Sequence, residues 1–384
     1  MKIRVYRQFD VSLREKWEYL EQQIETQNIY FSFLWASTWW EVFGKNFQPF
    51  IIVLEDGDAV RGIAPLMLSR PKGIPFSMAR NLNFIGTGLS DYHDFLLAPG
   101  FEKEVVKDII LYLHDQFNSW SLMRLRHFPE DSKTPALLRS SLKELGFEDD
   151  FSWIQRPTVP CPFIPLHSNW ESYYGSVSKN LRSDVNRKLN KLKRTFQFEF
   201  EKVEPRSQKE YESYLDAFIA INRKRWEQKK GRNIFSFESP EHQRFYRAVT
   251  DRFSQKGWTL FYVLRLNGRP VAYIYCFKYH GKIYHWNTAF EPEYFGYSIG
   301  KVLHRLAIEN AFRSGYREFD FMRGDEEYKL KWTNRVRVNS EVFILDKKNL
   351  FSKYSGMYYL RLKPYLEKSG IVEWGYRAMN RWLK

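Results

Sequence analysis

Trp258-Thr-Leu-Phe-Tyr-Val-Leu-Arg-Leu-Asn-Gly-Arg-Pro-Val-Ala-Tyr-Ile-Tyr-Cys-Phe-Lys278 is the stretch from which the fold is read. Two apolar runs, Trp258–Leu266 and Arg269–Lys278, flank Asn267-Gly268. Both residues of that pair tolerate the positive φ of a type I′ turn, so the segment predicts a tight antiparallel hairpin. An earlier segment has the same order, with Phe50–Leu54 as strand, Glu55–Asp58 as turn and Ala59–Leu68 as returning strand. The returning strands align as Gly62-Ile-Ala-Pro-Leu66 against Val271-Ala-Tyr-Ile-Tyr275.

The match continues downstream. Asp91-Tyr-His-Asp-Phe-Leu96 answers Ile283-Tyr-His-Trp-Asn287, and each is followed by a Gly or Pro break and an amphipathic helix. The helical stripes are Val105, Ile109, Tyr112 and Leu113 in one half, and Val302, Leu306 and Ile308 in the other. A strand closes each series, Ser121–His127 and Arg317–Arg323. The chain therefore predicts a mixed α/β (α+β) protein built from two tandem copies of one fold, each a mostly antiparallel sheet flanked by helices. The expected divisions are 1–160, 161–346 and a basic aromatic helical tail, 347–384. Arg156–Pro165 carries four prolines in ten residues and suits a linker or an extended crossing segment. Helices are expected from Ser178 to about Arg194, from Gln208 to about Gln228, and from Pro240 to about Gln255.

Length and composition agree with two packed bodies: 384 residues, 43% hydrophobic and 18% aromatic. Two cysteines, Cys161 and Cys276, are too few for a disulfide framework and sit among apolar residues. The opening Met1–Asp10 alternates charged and apolar residues and lacks the apolar core of a signal peptide, and no apolar run is long enough to span a bilayer. The expected location is cytoplasmic, with peripheral contact at the inner face of the membrane through the tail. A formal net charge of +15 calls for an anionic partner: nucleic acid, phospholipid headgroups or a nucleotide-bearing cofactor.

Two stretches carry chemistry. In Ala289–Leu303 a strand ends, a loop holds Gly296, Tyr297, Ser298 and Gly300, and a helix begins. Free amides at a helix start, with the helix dipole, form a site for pyrophosphate oxygens, and glycine lets backbone approach them. Lys301 is a cation in the first turn, where the dipole repels it unless an anion is close. The spacing matches neither a P-loop nor a dinucleotide fingerprint, and a plain helix cap gives the same pattern. The second stretch, Phe319-Asp-Phe-Met-Arg-Gly-Asp-Glu-Glu-Tyr-Lys-Leu-Lys-Trp332, reads as a strand that turns at Gly324. It brings Asp320, Asp325, Glu326, Tyr328 and Lys329 near one strand end, where such groups perturb one another's pKa values. Acids at a solvated helix start would look the same.

At these residues the chain resembles the bacterial GNAT acetyltransferases associated with cellulose and exopolysaccharide biosynthesis, which are related to the tandem-GNAT Fem-type transferases. Trp258-Thr-Leu-Phe261, Asn267-Gly-Arg-Pro-Val-Ala-Tyr273, Ala289-Phe-Glu-Pro292, Ser298-Ile-Gly300 and Phe319–Lys329 carry the likeness. Ser178-Lys-Asn-Leu-Arg182 and Arg225-Trp226 look like that family's basic helix and Arg-Trp pair. The likeness covers roughly Trp170 to Trp332. Ser298-Ile299-Gly300 departs from the family's Ser-Pro-Gly, and Glu293 is an acid where pyrophosphate would lie.

The resemblance implies a metal-independent transfer from acetyl-CoA or another acyl-CoA. It places the donor on the strand Lys282–Thr288 and on Gly296, Tyr297, Ser298, Gly300 and Lys301. The base candidates it suggests are His285, then Asp320 and Glu326, with Tyr328 as acid. His285 also fits as a strand histidine packed on Trp286. Lys179, Arg182, Arg225, Trp226, Asp325 and Lys329 are the candidates for holding an anionic or sugar-containing acceptor.

Basic residues crowd Lys179–Arg194 and Arg223–Arg232, which suits a phosphate-bearing acceptor or an ordinary solvated face. Three functions fit the chain. The first is an acyl-CoA-dependent N- or O-acyltransferase of cell-surface polysaccharide biosynthesis. The second is a Fem-type transferase moving an amino acid from aminoacyl-tRNA to a peptidoglycan precursor. The third is a non-enzymatic nucleic-acid or membrane-surface binder. No helix-turn-helix, zinc-ligand spacing or RNP-like motif supports sequence-specific nucleic-acid recognition.

Overall fold

Asp10 and Ser32 accept the amides of Leu13 and Trp35 at 2.8 and 3.2 Å, and these caps start the first two helices of the computed structural model, which describes residues 1–70, 80–116, 120–228 and 239–362. The first half runs β1 (Lys2–Tyr6), α1 (Val11–Glu21), α2 (Phe33–Phe43), β2 (Gln48–Asp56), β3 (Ala59–Ser69), β4 (Asn81–Phe84), β5 (Leu96–Leu97), α3 (Glu102–Asp115), β6 (Leu122–Phe128), α4 (Thr134–Glu144) and β7 (Phe151–Pro165). Two helices follow, α5 (Trp170–Ser176) and α6 (Lys179–Thr195). The second half runs β8 (Phe198–Val203), α7 (Gln208–Gln228), α8 (Pro240–Gln255), β9 (Thr259–Leu266), β10 (Arg269–Tyr279), β11 (Lys282–Phe290), α9 (Ile299–Arg313), β12 (Glu318–Asp320), α10 (Glu327–Leu330) and β13 (Val336–Asp346), with α11 (Leu350–Met357) after it.

The two halves repeat in pairing as well as in order. β1–β2–β3–β4 and β8–β9–β10–β11 are antiparallel ladders, and each then makes one parallel pair, β4 with β6 and β11 with β12. The last strands change sides. β13, from the second half, pairs with β6, while β7, from the first, pairs with β12, and β7 and β13 pair with each other. One continuous mixed sheet of 13 strands results, with a pseudo-twofold between β7 and β13. The proline-rich Arg156–Pro165 is thus the crossing segment, held as strand along both neighbours.

The fold is the expected tandem α/β architecture. Asn267-Gly268 turns the second hairpin with φ of 52° and 74°. One expected correspondence is corrected. The counterpart of β11 is β4, not Asp91–Leu96, because β4 makes the matching antiparallel and parallel pairs. Asp91–Leu96 is a loop running into β5, and the shared Tyr-His dipeptide aligned the wrong segments.

Helices α1, α2, α7 and α8 cover one face and share an aromatic core that joins the halves; Trp35 packs on Phe245 and Trp286, with ring centroids 5.1 Å apart in both cases. On the other face, α3 and α4 close one core with Val105, Ile109 and Leu113, and α6 and α9 close another with Val185, Leu189, Val302 and Ile308. Tyr359, beyond α11, lies 4.5 Å over the Arg124 guanidinium. The remaining tail expected to touch a membrane, including Trp374, Tyr376 and Trp382, lies outside the described residues, as do Lys229, Lys230 and Arg232. No described helix is long and apolar enough to cross a membrane.

Candidate active site

β11 and β12 pair only at Lys282–Tyr284 against Glu318–Asp320. β12 then ends while β11 runs on to Phe290, so the two strands part. The expected strand Arg317–Arg323 stops at Asp320 because Asp320 Oδ1 accepts the Met322 amide at 2.7 Å and Met322 takes a φ of 65°. The chain keeps to β7 through isolated bonds, from the Phe321 amide to the Pro162 carbonyl and from the Gly324 amide to the Pro160 carbonyl.

A bulge lies where the strands part. Cys276 pairs with His285 and Tyr275 with Asn287, which leaves Trp286 as the extra residue. The bulge brings His285 and Thr288 out on one face, with His285 Nε2 2.7 Å from Thr288 Oγ1. His304 of α9 faces them, its Nε2 3.2 Å from His285 Nε2 and its Nδ1 2.7 Å from the Gly300 carbonyl oxygen. Phe321 and Tyr328 complete the lining, with ring centroids 5.7 and 6.5 Å from that of His285. These rings pack against one another, with His304 and Tyr328 centroids 5.2 Å apart.

Burial dominates the protonation of this group. It holds His285 well below an ordinary imidazole, helped by His304 and the Lys329 ammonium, and lowers His304 to about 4. It pushes the Tyr328 phenol up, with a further push from Glu326. At neutral pH both imidazoles are uncharged and the phenol keeps its proton. His304 is not among the residues expected from the sequence, where the helical stripe runs through Val302, Leu306 and Ile308. Its signal was a histidine one turn after Gly300 in the buried face with Leu303 and Ala307.

Asp320 is not part of this group, which corrects its placement beside His285 and Tyr328. Side chains alternate along a strand, and since Phe319 faces His285, Asp320 must face away. There it accepts the Tyr92 hydroxyl at 2.7 Å and lies 3.6 Å from Arg337, which also pairs with Glu318. Burial, with Glu318 adding to it, raises the Asp320 carboxyl to about 6. Asp325 and Glu326 are exposed. Lys329 is buried and ties the turn together, donating to the Arg323 carbonyl at 2.9 Å and pairing with Glu326 at 2.9 Å. Gly324 has a φ of 137°, and a Cβ there would fall 2.0 Å from Glu326 Oε2.

The loop before α9 is a short 3₁₀ turn, Pro292–Tyr297, followed by Ser298 in the left-handed region at a φ of 53°. Ser298 makes no side-chain cap, and a Cβ on Gly296 would meet nothing within 4 Å. Gly300 serves packing, since a Cβ there would sit 3.3 Å from the Phe290 ring. α6 lies alongside: Lys188 Nζ donates to the Gly296 carbonyl at 2.7 Å, and Lys191 Nζ stands 4.9 Å over the Tyr297 ring. The anion that Lys301 requires is Asp184 of α6, at 3.0 Å. Glu293 is turned toward Arg269, at 3.1 Å, and Glu291 is held by Arg269 and Lys224 at 2.9 and 3.1 Å. Both glutamates are therefore drawn toward Arg269 and Lys224, and the loop is bordered by Lys188 and Lys191 of α6.

Arg225 of α7 donates to the Thr288 carbonyl at 2.8 Å and lies 4.2 Å over the Phe290 ring, so it borders the bulge. Arg182 donates to the Val177 carbonyl at 3.0 Å and closes the joint before α6, while Lys179 is exposed. The side chain of Trp226 lies outside the described residues.

Comparison with known proteins bears on the fold. Residues 179–330 match the family model described as an acetyltransferase (GNAT) domain. FemX superposes with a TM-score of 0.62 at 12% identity, over 94% of this chain and 100% of that one. The C-terminal domain of a putative lysylphosphatidylglycerol synthetase from Agrobacterium fabrum superposes at 0.50 and 10% identity, over 90% and 95% of the two chains. L-PGS from Bacillus licheniformis also reaches 0.50, at 12% identity over 87% and 92%. At such identities the likeness is one of fold. Among curated proteins, none matches by sequence. Residues 179–330 are thus similar in sequence to GNAT acetyltransferase domains, and the chain shares its fold with the superposed structures.

Proposed function

We propose that the chain transfers an acyl group from acyl-CoA, held by its pyrophosphate at the loop Gly296–Lys301, to an acceptor amine or hydroxyl that meets the thioester at the bulge of β11. One observation carries this reading: the loop before α9 presents an open glycine, with Lys188 and Lys191 of α6 beside it, at the end of the strand that parts from β12. The acceptor attacks the thioester carbonyl and its proton passes to His285. Backbone N–H at the bulge takes the oxyanion, and as the C–S bond breaks Tyr328 gives its proton to the leaving thiolate. At neutral pH the phenol holds a proton to give and the imidazole is uncharged and able to take one, the starting states these roles need. Arg225, at the bulge, and the exposed bases of α6 suit an acceptor that bears phosphate, such as a lipid- or nucleotide-linked sugar of the cell surface. α3, the counterpart of α9, opens with Glu102 and Glu104, which disfavour an anion, so we assign a single donor site to the chain. Titration with acetyl-CoA, followed by thiol release in the presence of amino-sugar and sugar acceptors, tests the reading. Absence of both binding and release sinks it.

Fem-type transfer from aminoacyl-tRNA is the second reading, favoured by the exposed basic residues of α6, which suit a polyanionic donor. Binding of charged tRNA without binding of coenzyme A would select it.

A further inference from the structure

We infer that His304 is a positioning residue for His285: it fixes which nitrogen of that ring carries the proton and ties the ring to the first turn of α9. The inference rests on the reading that the start of α9 holds the donor and that His285 serves the transfer.

The proton positions follow from the acceptors present. A carbonyl oxygen only accepts, so His304 Nδ1, 2.7 Å from the Gly300 oxygen, must carry a hydrogen. A neutral imidazole has one N–H, so His304 Nε2 is bare. It faces His285 Nε2 at 3.2 Å, and two bare nitrogens at that distance would repel. His285 Nε2 therefore carries the hydrogen, shared between His304 Nε2 and Thr288 Oγ1, the latter at 2.7 Å. The only basic nitrogen left on His285 is Nδ1, which is where the acceptor's proton would go. The imidazolium so formed keeps its Nε2–H on an uncharged partner, as an orienting group behind a general base should provide.

The chain of contacts also has a direction. It starts at the carbonyl of Gly300, in the turn whose amides border the anion loop, and ends on β11 at the bulge. A donor phosphate that orders this turn thereby orders His285. The charged groups facing the pair are Lys329 from α10 and Arg225 from α7, the Tyr328 phenol also lies against it, and both cations oppose protonation of the resting pair.

The test is nitrogen-15 NMR of the imidazoles in the intact, ligand-free chain, compared with His304→Phe and His304→Gln. The expected result is Nδ1–H on His304 and Nε2–H on His285, neither titrating between about pH 5 and 8. His304→Phe should leave His285 as a mixture of tautomers. His304→Gln, whose Oε1 can still accept from His285 Nε2, should keep the Nε2–H form. In turnover, His304→Phe should lower kcat about tenfold to a hundredfold and shift its pH profile, with KM for acyl-CoA changed less than about twofold, and His304→Gln should recover part of the loss. If His285 carries its hydrogen on Nδ1, or keeps Nε2–H in His304→Phe, the inference is overturned. Because the tautomers are read without substrate, that result is distinct from a failure of the acyl-transfer reading.

Discussion

Tyr92 donates its hydroxyl to Asp320 Oδ2 at 2.7 Å across 228 residues of sequence, and the bond is buried where the two halves meet. Asp320 thereby belongs to the joint between the halves, together with Arg337 of β13, rather than to the group around His285. Asp91 and Arg323 pair at 3.2 Å in the same joint, and Arg323 also reaches His127 at 2.6 Å.

Tyr92→Phe should lower stability by about 1–3 kcal/mol, because it leaves a buried carboxylate short of a donor, and it should do so without abolishing donor binding. Chemical denaturation monitored by tryptophan fluorescence gives the first quantity and coenzyme A titration the second. Loss of donor binding in the folded variant would return Asp320 to the transfer site.

Asp320 should make stability fall as pH rises. Its carboxyl is held near 6 in the fold, against 3.8 for the ordinary group, so the native state keeps a proton that the unfolded chain has released. The stabilising contribution is complete below pH 4 and fades through pH 6. Each tenfold difference in proton affinity between the folded and unfolded chain is worth about 1.4 kcal/mol. Asp320→Asn should remove this slope, as denaturation midpoints between pH 4 and 7 would show. An unchanged slope would refute the assignment.

His93 and His304 act in the opposite sense. Burial lowers them to about 3 and about 4, so the unfolded chain takes up protons between there and 6.5 that the native state refuses. Their contribution is complete above pH 6.5 and is lost on acidification. Replacement of His93 by Gln should flatten the acid limb of the stability curve, and its resonances in the parent should not titrate between pH 5 and 8.

Gly324→Ala should cost about 1–3 kcal/mol and lower turnover. The added Cβ would fall 2.0 Å from Glu326 Oε2 and 2.7 Å from Lys329 Nζ, at a φ of 137° that alanine resists. Since Lys329 and Tyr328 share α10, the displaced turn should move the phenol. Thermal unfolding and thiol release under saturating donor measure the two effects.

Residues 166–384 expressed alone should fail to fold, and should recover when mixed with 1–165. Without β7, both β12 and β13 lose a partner, and long unpaired strand edges aggregate. Circular dichroism of each piece and of the mixture decides this. A folded, soluble second piece would show that the exchanged strand is dispensable.

Much of the architecture was readable from residues near one another in the chain. Asn267-Gly268 specifies its hairpin through backbone dihedrals that few other pairs allow. The stripe Leu181, Val185, Leu189 and Leu192 specifies α6 by period, and Ser178 starts that helix where it was expected. The order of strands and helices in the two halves likewise disclosed a repeat, because each half must bury its own apolar faces by the same local pattern.

What tertiary structure alone decided is which residues face one another. The exchange of β7 and β13 between the halves leaves no mark in a strand's own composition, since either pairing satisfies the same backbone groups. The Trp286 bulge depends on register against β10, and it is register that turns His285 and Thr288 toward His304 and leaves Asp320 facing Tyr92. Glu293 looked misplaced beside a phosphate site until Arg269, on the neighbouring hairpin, accounted for its direction. Local sequence determines elements through short-range sterics and periodicity. The candidate site depends on pairing, burial and charge between segments far apart in the chain, and those exist only once the sheet has closed.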